Sequence, residues 1–149
     1  MLNTYFEQVY REQVLDPQDN TGNGAATVPA SYIDVSDFER FVFEIELGNN
    51  DGTLDAQVVQ ATDAAGTGSK NVAGAVITQL GATDDNKQVS IEVQTAHLDI
   101  NNDFHFVAIT LTEAGSTAQL LSCVFKGVNP GIAPVTQPVA YSQQVIVAG

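Results

Sequence analysis

Tryptophan is absent, cysteine and methionine occur once each, and only five residues are basic. Each scarcity removes a class of function. The lone Cys123 cannot form an internal disulfide, so nothing ties the fold to an oxidising compartment. Residues 120–125 around it read as a buried strand in which a free thiol is a small hydrophobe. No cation or His adjoins it in sequence to favour the thiolate. The two histidines, His97 and His105, have no HxxxH or CxxC spacing around them and are too few for a typical zinc site. Aromatics make up only 7% of the chain, and Tyr5, Tyr10, Tyr32 and Tyr141 are scattered, which argues against a stacking platform for sugars.

Long apolar runs are missing too. No stretch approaches the ~20 residues of a membrane span, and the N-terminus lacks the basic start and apolar run of a signal peptide. The expectation is a protein made in the cytosol, or assembled from there. Arg11, Arg40, Lys70, Lys87 and Lys126 stand against 18 acidic residues, a net charge of −13. Phosphate binding needs clustered Lys and Arg, so neither nucleic acid nor an anionic membrane is an expected partner. A basic protein surface is the electrostatically compatible one.

What the chain does contain is β patterning. In residues 39–47, Phe41, Phe43, Ile45 and Leu47 point one way, while Arg40, Val42, Glu44 and Glu46 point the other. Leu54, Ala56 and Val58 alternate likewise, as do Val89, Ile91 and Val93. Residues 104–112 are apolar on both faces, which places them centrally in a sheet. The five-residue loop 113–117 leads into 118–125 as a natural hairpin partner for that strand. Residues 73–80 are too short to assign to helix or strand. Short strands joined by tight polar loops favour an antiparallel β-sandwich or jelly-roll-like body over a parallel α/β fold. Phe41, Phe43, Ile45, Val89, Ile91, Val93, Phe106 and Val124 are its expected core.

The expected organisation is one domain with three zones. Residues 1–31 read as an N-terminal arm and loop, because aromatics and charges mix there and residues 16–24 are rich in breakers. Residues 32–127 form the body. Residues 128–149 form a C-terminal arm in which Pro130, Pro134 and Pro138 forbid a central strand before 140–148 regain β character. Apolar residues lying outside the body pattern are the candidate partner-binding residues: Tyr5, Phe6, Val9, Tyr10, Val145, Ile146 and Val147.

Motifs for chemistry fail on inspection. Asp99, Asn101 and Asp103 have the opening spacing of an EF-hand loop, but Phe104 stands where Gly is needed and Thr110 where Glu is needed. Asp84 and Asp85 sit beside Lys87 in what reads as a solvated turn. No Ser lies in a Gly-x-Ser-x-Gly elbow, and Gly66 and Gly68 lack the rest of a phosphate loop. No catalytic residue, metal ligand or cofactor is expected.

Residues 32–48 and 53–70, then Ile77-Thr-Gln-Leu80, Asp85-Asn-Lys-Gln-Val89, Leu98-Asp-Ile-Asn-Asn-Asp-Phe104 and Val107-Ala-Ile-Thr-Leu-Thr112, together resemble a family of head structural proteins of tailed bacteriophages. That family is similar to capsid decoration, or cement, proteins. The resemblance covers roughly residues 32–127 and departs from the family in the N-terminal zone and the Pro-rich tail. It implies a non-enzymatic protein on the outer capsid surface of a virion, with the major capsid protein as partner and a homo-oligomer, first a trimer. The competing expectations are a tail-tube or connector subunit, a carbohydrate-binding β-sandwich and an enzyme.

Overall fold

The computed structural model describes residues 4–20, 24–115, 119–137 and 145. After a single helical turn, α1 (Tyr5–Gln8), come eight strands: β1 (Val9–Asn20), β2 (Gly24–Asp34), β3 (Phe38–Asn50), β4 (Thr53–Ala61), β5 (Lys70–Val76), β6 (Gln88–Gln94), β7 (Phe106–Ala114) and β8 (Gln119–Pro130). They form two antiparallel four-stranded sheets, in the orders β1-β8-β3-β6 and β2-β7-β4-β5. Partners nest: β4 pairs with β5, β3 with β6, β2 with β7 and β1 with β8. The chain is therefore one long hairpin rolled up around the turn between β4 and β5, which is a jelly-roll-like sandwich.

That turn is built by short polar side chains. Asp63 Oδ1 accepts the N–H groups of Ala65 and Thr67, both at 3.0 Å, and Thr62 N–H donates to the Thr67 carbonyl. Gly66 and Gly68 take φ of 82° and 67°, a region a side chain would strain. Tyr32 of β2 closes over the turn, with its ring against Gly66 and its hydroxyl 2.8 Å from Ser69 Oγ.

Between the sheets, one side chain in two points inward. Phe41, Phe43 and Ile45 of β3 are fully buried, as are Leu54 and Val58 of β4, Val107 and Ile109 of β7, and Cys123 and Phe125 of β8. Phe125 stacks on Phe41 (6.0 Å, 24°) and meets Phe43 edge-on (5.2 Å, 66°), so strands distant in sequence share one aromatic cluster. Val59 and Ala108 are buried as well, although they have the opposite parity to their inward neighbours.

Four expectations are corrected. The zone 1–31 is not an arm and loop: its described residues hold β1 and most of β2, and β1 pairs with β8 from Val9↔Val128 to Asn20↔Gln119. The period-2 signal is lost in β1 because register shifts fall between Gln13 and Leu15 and between Leu15 and Gln18, around Pro17. The body also extends past 127, since β8 runs to Pro130. Residues 119–130 do not make a hairpin with β7; they cross to the other sheet between β1 and β3. Finally, Val89, Phe106 and Val124 are only half-buried, while Val107, Cys123 and Phe125 fill the interior. The undecided segment 73–80 supplies β5 through Val76.

Candidate partner-binding surfaces

The candidate residues at the N-terminal end separate into two groups. Tyr10 belongs to the sandwich: its ring lies 5.6 Å from Phe38 and 5.9 Å from Phe125, and its hydroxyl donates to Glu12 Oε2. Val9 is half-buried and pairs with Val128. Tyr5, by contrast, is half exposed, with its ring edge-on to Phe6 at 5.4 Å on the single turn of α1. Glu7 fixes that turn by accepting the Thr4 N–H at 2.6 Å.

Residues after β8 return to the same place. Val135 N–H donates to the Glu7 carbonyl at 3.0 Å. Gln137 then acts as a clamp: its Nε2 donates to the carbonyls of Phe6 (2.8 Å) and Val9 (2.6 Å), and its Oε1 accepts the Arg11 N–H (3.0 Å). One amide side chain thus closes the first residues of the β1 edge. Sequence offers no signal for this role, because a Gln in a Pro-rich segment looks like solvent-facing polarity. Beside the clamp lies a groove of about 560 Å³ lined by Tyr10, Glu12, Asp34, Asp37 and Ile132, among others. Ile132 is 76% exposed there. Val145 is also exposed, and Ile146 and Val147 lie outside the described residues.

Electrostatics leave the surface acidic. Four of the five basic side chains are engaged in ion pairs: Arg40 with Glu92 (2.7 Å), Lys70 with Asp99 (2.5 Å), Lys87 with Asp84 (2.8 Å) and Lys126 with Glu44 (2.6 Å). Lys70 also lies 3.8 Å over the Phe104 ring. The Lys70 ammonium and the Asn102 amide hold Asp99 below the usual carboxylate range, and Lys87 with the Gly81 N–H does the same for Asp84. Asp63 is lowered by the Thr67 N–H and hydroxyl.

The motifs weighed for chemistry resolve into scaffolding. Asp99 to Asp103 form a 3-10 turn in which Asp103 takes φ 63°, and Asp99 is occupied by Lys70 and Asn102. Asp84 caps the Gly81 N–H, and Asp85 accepts the Asn50 N–H. His97 Nε2 lies 3.1 Å from the Ala73 carbonyl, and the His105 ring packs on Phe106. Burial pushes the Cys123 thiol up to about 12, with Glu44 adding to the shift. Among the described residues there is no group of three His, Cys, Asp or Glu side chains able to hold a metal ion. No helix among them is long and apolar enough to cross a membrane.

The fold itself has known counterparts. The chain superposes on the VP2 protein of an infectious bursal disease virus subviral particle with a TM-score of 0.52 at 14% identity, over 83% of this chain and 32% of that one. A Triatoma virus structure gives 0.48 at 14% identity, over 89% and 70% of the two chains. Cowpea mosaic virus empty particles give 0.46 at 10%, over 98% and 96%. The chain spans about a third of the length of the bursal disease virus proteins it matches. At 14% identity the likeness to VP2 is one of fold. No protein-family model matches the sequence, and no curated protein does.

Proposed function

We propose that this chain is a non-enzymatic structural protein of a virion, which binds the outer surface of a bacteriophage capsid and stabilises the head. The observation that carries the reading is the nested strand order with two sheets packed over an apolar core, an architecture shared with VP2 of a virus particle. The resemblance of residues 32–127 to phage head proteins narrows it to decoration of a shell. The partner is then the major capsid protein, met by an acidic surface whose cations are mostly spent in internal ion pairs. The exposed Tyr5, Ile132 and Val145 supply the apolar contacts. Phe6, Ile146 and Val147 join them, and copies meet about a capsid three-fold.

The test is particle stability and position. Particles assembled without the protein should release their genome at a lower temperature than wild type, and adding purified protein back should restore the difference. Density for the sandwich should lie on the outside of the shell. Density in the tail tube or connector, or particles equally heat-stable with and without the protein, would overturn the reading.

A further inference from the structure

Among the described residues, the sandwich has four edge strands, and three of them are interrupted. β1 carries two register shifts and Pro17, and its start is closed by Gln137. β2 loses register between Val28 and Ile33, next to Pro29. β5 shifts against β4 between Gln57 and Val59 and contains Gly74 at φ 75°. Bulges, Pro and covering segments are how sheet edges are kept from pairing with other chains. Among the described residues, β6 has none of these. It pairs with β3 without a shift from Arg40↔Gln94 to Glu46↔Gln88, and no described strand pairs with its other side.

The hydrogen bond from Leu47 N–H to the Lys87 carbonyl (2.9 Å) sets the phase of that ladder. Because bonded and non-bonded pairs alternate in an antiparallel ladder, Val89, Ile91 and Val93 direct their N–H and C=O at β3. Gln88, Ser90, Glu92 and Gln94 direct theirs to the open edge. We infer that this edge pairs with the same edge of a second copy across a two-fold axis at Ile91. The strand reads almost the same in both directions: the axis sets Gln88 against Gln94, Val89 against Val93, Ser90 against Glu92 and Ile91 against itself. Every outward-facing residue then meets an outward-facing partner, for about eight inter-chain hydrogen bonds.

Charge selects this register. Glu92 is paired with Arg40 in its own chain and faces Ser90 of the copy, so no like charges oppose. A shift of two residues one way sets Glu92 against Glu92, and the other way sets Gln94 against Asn86, which lies in a turn at φ 56°. The pairing also covers the groove of about 400 Å³ between β5 and β6, lined by Ala73, Ala75, Ile91 and Val93 among others. An isologous contact of this kind joins two copies whatever the protein's place in a particle.

Sedimentation velocity on the free chain, from low micromolar to near-millimolar, tests it alongside amide exchange. The amides of Gln88, Ser90, Glu92 and Gln94 should gain protection as concentration rises, while those of Ile91 and Val93 stay protected throughout. Ser90 is exposed, so its variants keep the fold. Ser90→Glu, which opposes Glu92 twice per dimer, should weaken association roughly tenfold, and Ser90→Lys should strengthen it by a similar factor. Ser36→Lys, the same charge change in an exposed turn outside the β3–β6 ladder, should leave it unaltered. A chain monomeric at every concentration overturns the inference. So does a trimer whose β6 amides exchange freely, or Ser90→Lys and Ser36→Lys acting alike.

Discussion

Phe125 is the residue on which both neighbours of β8 converge. It lies opposite Phe43 of β3 and Glu12 of β1 and touches the rings of Tyr10, Phe41 and Phe43. Replacing Phe43 or Phe125 by Ala should cost about 3–5 kcal/mol in denaturant unfolding, because rings fixed on opposing strands cannot collapse into the space. A loss under about 1 kcal/mol would contradict the packing. Gly127, two residues on, supports Phe38: a Cβ there would fall 2.7 Å from three ring carbons. Gly127→Ala should therefore destabilise by about 1–3 kcal/mol, read as a lower unfolding midpoint. Cys123 gives a pH test. Its folded value is raised from 9.0 to about 12, so its contribution is constant below pH 9 and is lost between 9 and 12 as the unfolded thiol ionises first. Cys123→Ala should remove that part of the alkaline decline.

At the scale of elements, alternation was legible wherever a strand keeps an unbroken register against at least one neighbour. β3, β4 and β6 show it plainly, and Phe41, Phe43, Ile45, Ile91 and Val93 are buried as the pattern requires. It fails at Phe106 and Val124 because apolar residues occupy both faces there, and parity alone cannot say which face meets the core. β1 was hidden by its own edge devices: Pro17 and two shifts erase the period that would announce a strand. The turns depend on Asp side chains. Asp63, Asp84 and Asp99 are held below 3.8, so their stabilisation is present above that value and is lost as pH falls through the folded values. Asp63→Asn should lower stability at pH 7 and flatten its acid dependence, as a series of urea melts would show.

Over the whole molecule, the candidate surface was only partly readable. Tyr5 and Val145 are exposed, whereas Tyr10 is spent on the interior. No residue pattern could reveal that Gln137 returns to β1, since that contact joins positions more than a hundred residues apart. Deleting residues 1–15 should accordingly unfold the chain or remove its cooperative melt, because it strips β8 of a neighbour and uncovers Phe125. Deleting 139–149 leaves the clamp in place and should preserve the melt while reducing occupancy on particles. On the proposed function, binding to a basic capsid surface should also slow with added salt, measured as an association rate.

The nested order has a consequence for synthesis on the ribosome. Each strand made after the β4–β5 turn pairs with one made correspondingly earlier, so the first strand to emerge is the last to be matched. β8 sits between β1 and β3 and is the final strand of the described sheets, so both wait for it with their apolar faces open. At about 5–20 residues per second that wait is on the order of ten seconds, long compared with hydrophobic collapse. Nascent chains ending before residue 119 should therefore remain protease-sensitive and bind holding chaperones, and resistance should arrive abruptly once residue 130 has cleared the exit tunnel. For this protein, the sheet that holds β1 and β3 stays open until β8 has been made.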